Sequence, residues 1–329
     1  MTGPLLRVRD LSVSFPVQGG GLFPWRNRRL LRAVQGAGFD LAAGKTLGIV
    51  GESGSGKSTL ARAILGLVPR AGGEVIWDGR PLGEAQRPEV QMIFQDPLAA
   101  LNPRMTVGEI IAEPLVTHFP QMRKAERVEK VVALMERVGL RAELRNRYPH
   151  EFSGGQCQRI GIARALISGP RLVVCDEPVS ALDVSVQAQV VNLLKELQAE
   201  MGLTLIFIAH DLSVVRHISD EIMVMYLGRV MEHALAADLV ARPMHPYTRA
   251  LIAAAPIPDP AVEKARPRAV LEGELPSPMA PPSGCVFRTR CPLVQPACAE
   301  AVPEPRAVAP GRRLACPVTA AEAAPVSAG

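Results

Sequence analysis

The sequence predicts an α/β fold with four parts: a parallel-sheet core, an N-terminal antiparallel β subdomain, a helical insertion and a cysteine-containing C-terminal extension. Three observations predict it. A glycine-rich loop lies between a strand-like run and a helix-like run within residues 47–65. Apolar strand-like runs alternate with helix-periodic segments, which is typical of parallel sheets with right-handed crossovers. A proline-rich stretch from residue 256 onward marks a boundary.

The N-terminal segment has the pattern of an antiparallel sheet. Residues 6–15 alternate between apolar and polar side chains, with one slip at Asp10. This pattern predicts a half-buried strand with a β-bulge. Short strands are also predicted at residues 38–42 and 74–79, and the second of these ends in a turn.

The loop after residues 47–50 fits the phosphate-binding pattern G-x-x-x-x-G-K-[ST], the P-loop. Its glycines let successive N–H groups point at phosphate oxygens, and the helix that starts at Lys57 adds partial positive charge. Lys57 can reach the β- and γ-phosphates, and the Ser58 hydroxyl can ligate Mg²⁺. The alternative, a chance Gly/Ser turn, is disfavoured by the flanking strand and helix. The predicted phosphate-binding residues are Gly51, Glu52, Ser53, Gly54, Ser55, Gly56, Lys57, Ser58 and Thr59.

Beyond residue 98 the pattern becomes helical up to about residue 152, which predicts an insertion into the α/β core. One helix there has apolar residues at helical spacing from Val128 to Val138 and stops at Gly139. Further strands are predicted at residues 90–94, 171–175, 204–209 and 222–225, with a helix that presents Val186, Val190, Leu194 and Leu197 on one face.

An acidic pair, Asp176 and Glu177, follows the apolar strand at 171–175. In a P-loop protein this position suits a second carboxylate for the Mg²⁺ site and a base for an attacking water. A pair of surface acids at a turn is the alternative.

A second glycine-containing run opens a helix and predicts another anion site at its N-terminus; by itself, a plain helix cap would be the preferred interpretation. The run consists of Ser153, Gly154, Gly155 and Gln156. Taken together with the other motifs, this run resembles the signature motif of ABC-transporter ATP-binding subunits, with Phe152 where leucine is more usual. Gln95 resembles the Q-loop glutamine, residues 180–183 the D-loop and His210 the switch histidine.

The resemblance covers about residues 5–235 and implies a RecA-like P-loop core that binds ATP and Mg²⁺. It implies that Ser58, Gln95 and Asp176 hold the metal and that Gln95 also contacts the attacking water. It further implies that Glu177 is the general base and that His210 hydrogen-bonds the γ-phosphate.

The family also implies an aromatic side chain that stacks on adenine, upstream of the P-loop. Phe15 is the predicted residue and Trp25 the alternative; Phe15 could instead be a core residue of its strand. In the family the signature serine and glycines act in trans, on ATP held by a partner's P-loop. The resemblance therefore implies a head-to-tail dimer with a second, homologous ATP-binding subunit.

Residues 95–104, 245–251 and 284–292 resemble segments of the ATP-binding subunits of oligopeptide, dipeptide and nickel importers. This resemblance implies two integral-membrane permeases, an extracytoplasmic solute-binding protein and a peripheral position at the cytoplasmic face of the inner membrane. The expected cargo is a di- or oligopeptide, with nickel chelates and glutathione left open.

Two domains are expected, in line with a length of 329 residues. Residues 1–255 would form the ATPase domain, with a helical subdomain at about 98–158. Residues 256–329 would form a proline-rich linker, a four-cysteine extension and a disordered tail.

The extension contains Cys285, Cys291, Cys298 and Cys316. A reducing cytosol disfavours disulfides, and the extension lacks the C-x₂₋₄-C pair usual in structural zinc sites. Four thiolates on a loop-rich segment suit a [4Fe–4S] cluster, which members of the family are thought to carry there. A cluster is therefore ranked above zinc, and zinc above free thiols.

Composition and charge argue against several classes of function. The net charge is +5, but the basic residues are scattered and not interleaved with aromatics, so nucleic-acid binding is not expected. The exception is the basic cluster with one tryptophan at residues 25–29, for which a solvated loop is the preferred interpretation. No apolar run approaches the roughly 20 residues of a membrane span, and charged residues interrupt any signal-peptide pattern.

A non-transport ABC ATPase is the main alternative function. Such ATPases usually carry two cassettes or a long coiled-coil insertion on one chain, and neither feature is present in this sequence. A P-loop kinase would have no use for the signature and D-loop.

Overall fold

The structure, a computed structural model, describes residues 3–18, 28–255 and 273–320. The chain divides into two compact units. The helical unit contains Ala42–Thr46 and Leu82–Ala209, and the P-loop unit contains Leu5–Leu41, Leu47–Pro81 and the chain from His210 onward.

The secondary structure of the described residues is as follows. The strands are β1 (Leu6–Gln18), β2 (Arg28–Leu41), β3 (Thr46–Val50), β4 (Gly72–Trp77), β5 (Arg80–Pro81), β6 (Val90–Ile93), β7 (Leu172–Asp176), β8 (Thr204–Ala209), β9 (Glu221–Tyr226), β10 (Arg229–Leu235), β11 (Arg306–Ala309) and β12 (Arg312–Leu314). The numbered helices are α1 (Lys57–Ile64), the single-turn α2 (Pro97–Ala100), α3 (Val107–His118), α4 (Lys124–Arg137), α5 (Gly154–Leu166), α6 (Val184–Met201), α7 (Leu212–Ile218), α8 (Ala236–Ala241) and α9 (Pro246–Ala254). Single-turn α-helices lie at Ala297–Glu300 and Pro317–Ala320, and 3-10 helices at Glu84–Glu89, Ala142–Asn146 and Pro149–Glu151.

An antiparallel sheet in the order β2-β1-β4-β5 forms one layer of the P-loop unit, as the alternating pattern predicted. The predicted bulge is present: the β1–β2 register shifts between Val8 and Leu11, and Asp10 has φ 47°. Strand β2 is much longer than predicted, because β1 pairs with it from Leu41 back to Arg28. Its basic N-terminal half has no strand-like alternation, so only the pairing partner reveals it.

A second group of strands in the same unit includes the strand before the P-loop. β3 pairs in parallel with β9, with Val50 opposite Val224. β9 continues antiparallel into β10, and β10 pairs antiparallel with β12. The last pairing makes the C-terminal extension part of this sheet, which the sequence patterns did not predict.

The helical unit carries the parallel strands β6, β7 and β8, with Ile93 opposite Cys175 and Cys175 opposite Phe207. Helices α2 to α5 lie between β6 and β7 in the chain, which confirms the helical insertion. Helix α4 ends before Gly139, whose φ of 75° is left-handed. The predicted α/β class, with an antiparallel N-terminal sheet and a parallel core, is therefore confirmed.

Several predictions fall outside the described residues and stay predictions. They concern Trp25, the prolines of residues 256–267 and the tail beyond residue 320. The expected domain boundary at 255/256 also stays a prediction. In the described ranges, none of the helices combines the length and apolar character that a bilayer span requires.

Candidate functional site

The P-loop connects the buried strand β3 to helix α1, as predicted. Lys57 is the first residue of α1 and is buried. Its Nζ donates to the carbonyl oxygens of Gly51 at 2.8 Å and Glu52 at 3.0 Å. The Lys57 ammonium group is thus held by two backbone carbonyl oxygens of the loop, and triphosphate oxygens could replace these carbonyls as acceptors.

Close backbone packing explains why the loop needs glycine. Gly56, the N-cap of α1, has φ 98°, and a Cβ there would lie 2.3 Å from the carbonyl oxygen of Ala33. The carbonyl of Ser55 accepts from the N–H of Gly228 at 2.9 Å, and Gly228 in turn accepts from Gln35 at 2.8 Å. Residues from β2 and from the β9–β10 turn therefore support the loop within the P-loop unit.

Glu52 of the P-loop is held by residues far away in the sequence. Its N–H donates to the hydroxyl of Tyr247 at 2.9 Å. Its carboxylate accepts from Nη1 of Arg290 at 2.8 and 3.0 Å. Burial raises the pKa of Tyr247, so its hydroxyl stays protonated at neutral pH. Sequence reasoning missed both contacts, although both partners fall in stretches that resemble importer segments.

The predicted acidic pair lies at the end of β7 in the helical unit. Asp176 is fully buried, and Glu177 has a left-handed φ of 46°. The side-chain amide Nε2 of Gln95 donates to Oε2 of Glu177 at 3.2 Å. The structure thus brings together the predicted water-orienting glutamine and the predicted base, and the strained backbone of Glu177 is of a kind that clusters at active sites.

The signature run caps helix α5. The hydroxyl of Ser153 accepts from the N–H of Gln156 at 3.4 Å, and Gln156 reaches back to the N–H of Ser153 at 3.0 Å, which makes a capping box. A Cβ on Gly155 would lie 2.7 Å from Cγ1 of Val186, so this glycine lets the loop pack on α6. Ser153 and Gly154 are exposed, so the helix start is accessible to an anion.

His210 and Phe15 are two further predicted site residues. His210 is exposed and directly precedes Asp211, which caps α7 by accepting from Ser213 at 2.7 Å. Phe15 lies in β1 opposite Leu31 and is only half-buried, so the structure does not make it a full core residue. Neither role is tested by these positions, and both stay predictions.

The sequence was compared with known proteins. Residues 34–180 match the family described as ABC transporter, and residues 231–298 match the C-terminal region of oligopeptide/dipeptide transporters. The chain is 60% identical over 306 residues to the oligopeptide transport ATP-binding protein OppF of Escherichia coli (strain K12), which covers 91% of this chain and 92% of that protein. The chain belongs to the ABC transporter family.

Other members of the ABC transporter family agree with this assignment. The oligopeptide transport ATP-binding protein AppF of Bacillus subtilis (strain 168) is 51% identical over 320 residues, covering 95% of this chain and 96% of that protein. Among solved structures, the dimeric ATP-binding cassette MJ0796 bound to ADP and phosphate has a TM-score of 0.61 at 27% identity, covering 70% of this chain and 98% of that one. This ABC transporter subunit is an ATPase homologous to the ATP-binding subunits of peptide importers.

The donor set that the ABC family implies for Mg²⁺ fits the ion chemically. Ser58, Gln95 and Asp176 offer a hydroxyl, an amide oxygen and a carboxylate, and Mg²⁺ prefers oxygen ligands of this kind.

The four cysteines of the extension lie in the P-loop unit as free thiols. The N–H of Cys285 donates to the carbonyl of Cys298 at 2.8 Å. Burial raises the pKa of Cys285 to about 11, and the charges of Cys298, Cys291 and Cys316 add to the shift. In the described part of the chain, however, no three His, Cys, Asp or Glu side chains are placed as a metal site. This placement does not support the predicted iron–sulfur cluster.

Proposed function

We propose that this chain hydrolyses ATP to power the import of di- or oligopeptides through partner membrane permeases. The observation that carries the proposal is the contact between Gln95 and Glu177 next to the buried Asp176, in a chain that also has a well-formed P-loop. The importer role rests on the similarity to oligopeptide transport ATP-binding proteins over 91% of the chain.

ATP binding would use the P-loop residues from Gly51 to Thr59. Loop N–H groups and the start of α1 attract the phosphates, and Lys57 would exchange its two carbonyl acceptors for phosphate oxygens. Phe15, or Trp25 as the alternative, would stack on adenine.

Hydrolysis would depend on one positioned water. Glu177 takes a proton from it, Gln95 orients Glu177 and the water, and the exposed His210 hydrogen-bonds the γ-phosphate. Ser58, Gln95 and Asp176 would hold Mg²⁺, which would neutralise charge on the triphosphate. Phosphoryl transfer needs little else than such positioning and charge stabilisation.

The exposed run at Ser153 is proposed to bind ATP held by a second, homologous subunit in a head-to-tail dimer. Its support is the accessible, capped start of α5 and the similarity to a dimeric cassette. The test is the ATPase rate per chain as a function of the concentrations of this chain and its homologous partner. The rate should rise with partner concentration until the dimer is saturated. A full rate that is independent of concentration would rule out the dimer.

Transport itself can be tested in vesicles that contain the two proposed partner permeases, together with the solute-binding protein. A radiolabelled tripeptide should accumulate in the vesicles only when ATP and this chain are both present. The chain should also sediment together with membranes that carry the permeases. Uptake of nickel or glutathione in place of the peptide would keep the ATPase role and change the cargo.

The four cysteines are further proposed to hold a [4Fe–4S] cluster, for which they would have to draw together from their present placement. The support for this proposal is the ligand chemistry, since four thiolates on one loop-rich segment are the ligands that such a cluster uses. Anaerobic purification should give a brown protein with about four iron and four sulfide per chain, and Cys285→Ser should lower both. Cys157→Ser, at a buried position outside the extension, is the control. A colourless, iron-free protein would contradict the cluster, and one zinc per chain would replace it.

A further inference from the structure

The cysteine extension reaches the P-loop through one arginine. Arg290 precedes Cys291 and places its Nη1 2.8 Å from Oε2 of Glu52. The Arg290 side chain is 8% exposed and that of Glu52 26%. Since the pair is mostly shielded from water, it is stronger than a surface ion pair, whose contribution is usually small.

The backbone of the extension is anchored beside this contact. Phe287, three residues earlier, is fully buried and packs edge-on against Tyr226, with ring centroids 5.3 Å apart. Phe287 also packs against Tyr247, the residue whose hydroxyl accepts from the N–H of Glu52. Arg290 additionally donates to the hydroxyl of Tyr226 at 3.4 Å. The extension therefore holds the side chain of Glu52 directly through Arg290, and its Phe287 packs on the tyrosine that holds the Glu52 backbone.

Glu52 is a carboxylate inside a loop that must receive a triphosphate. Its own carbonyl accepts from Lys57, so a shift of Glu52 would also shift the phosphate-binding lysine. Without Arg290, the unpaired carboxylate of Glu52 would repel phosphates bound in the same loop. Arg290 neutralises that charge and fixes the residue that carries it.

We propose that Arg290 is a positioning residue for nucleotide binding: it holds Glu52 so that the P-loop can accept the triphosphate. The inference rests on the proposed binding of ATP at the P-loop. It makes the C-terminal extension part of the nucleotide site, at one residue's distance from the cysteine at position 291.

The test measures the Kd of a fluorescent ATP analogue, displaced by ATP, ADP or AMP, for the full-length chain and five variants. Arg290→Ala should bind ATP about tenfold more weakly, which corresponds to a coupling of about 1.4 kcal/mol. The loss should shrink from ATP to ADP to AMP, because it depends on phosphate charge. Arg290→Gln carries the same expectation if the alanine variant does not fold.

Three further variants, Arg288→Ala, E52Q and E52Q/R290A, separate positioning from a general loss of structure. Arg288→Ala is the matched control, since Arg288 lies in the same segment but contacts Ser283 and not the P-loop. It should bind ATP as the wild type does. The double variant E52Q/R290A should bind within about twofold of E52Q alone, since without the carboxylate the arginine has no charge to hold.

The outcomes are distinct. If the wild type binds no ATP, the proposed function fails. If the wild type binds and Arg290→Ala or Arg290→Gln binds equally well, the positioning role is overturned. The same follows if removing Arg290 costs as much in the Glu52→Gln background as in the wild type.

Discussion

The side-chain amide of Gln95 hydrogen-bonds the carboxylate of Glu177 over 3.2 Å, although the two residues are 82 positions apart. The contact exists because β6 and β7 are parallel neighbours, so that Gln95 and Glu177 follow strand ends at the same edge of the sheet. Ligand sites of open α/β sheets lie at this edge. The geometry of this pair leads to the first of four predictions.

Removing the ionisable group of Glu177 should abolish turnover and spare binding. The Glu177→Gln variant keeps a similar shape but cannot take a proton, so phosphate release should slow by about 10²–10⁴-fold. ATP affinity should stay within about twofold. The control is Glu129→Gln on the exposed side of α4. Unchanged turnover in Glu177→Gln would remove this residue from the role of base.

Gly56 should be intolerant of a side chain because two effects combine there. Alanine would have to adopt φ 98°, which costs about 1–3 kcal/mol, and its Cβ would meet the carbonyl of Ala33. Gly66 has φ 69° and open space around it, so Gly66→Ala carries the backbone cost alone. In urea unfolding, Gly56→Ala should lose clearly more stability than Gly66→Ala, and it should also bind ATP more weakly. Equal losses would argue against the close approach of Ala33.

A buried ion pair ties the extension to the sheet. Glu232 is fully buried and accepts from Arg312, and it also accepts from the backbone N–H groups of Met244 and His245. The Arg312→Ala variant would leave the buried charge of Glu232 without its arginine partner, which typically costs about 3–5 kcal/mol of stability. The control Arg306→Ala changes an exposed arginine of β11 and should cost less than about 0.5 kcal/mol. The measurement is the free energy of unfolding at neutral pH, and a small loss for Arg312→Ala would contradict the buried pair.

His245 should make the protein sensitive to acid. Burial, together with the charge of Arg249, lowers the pKa of His245 from 6.5 to about 3. Between these values the unfolded chain binds a proton that the folded chain does not, so stability falls as the pH falls from 6.5 towards 3. From pH 7 to pH 5 the loss due to this residue should be about 2 kcal/mol.

The His245→Asn variant isolates this contribution. Asparagine can still accept from the N–H of Tyr247, as Nδ1 of His245 does at 3.1 Å, but it does not titrate. Unfolding measured at pH 7 and pH 5 should therefore show a smaller pH effect in His245→Asn than in the wild type. His150→Asn, at an exposed position, should keep the wild-type effect. If His245→Asn also keeps it, the lowered pKa is wrong.

Features that depend on neighbouring residues were predictable from the sequence. The order strand, P-loop, helix follows from residues 47–65, and the capping box at Ser153 follows from a serine and a glutamine three positions apart. The bulge at Asp10 was visible as one slip in an alternating pattern. In each case the physical constraint acts over a few residues, so the local sequence contains it.

The sequence by itself thus determined the α/β class, the phosphate-binding loop and the residues expected to carry out hydrolysis. Only the tertiary structure decided which distant side chains complete the loop. Tyr247 of α9 and Arg290 of the extension reach Glu52 from 195 and 238 positions away, and the extension joins the sheet by the pairing of β12 with β10. No periodicity or local motif encodes such contacts, because they depend on the path of the folded chain and on charges and aromatic rings that meet only when it has folded.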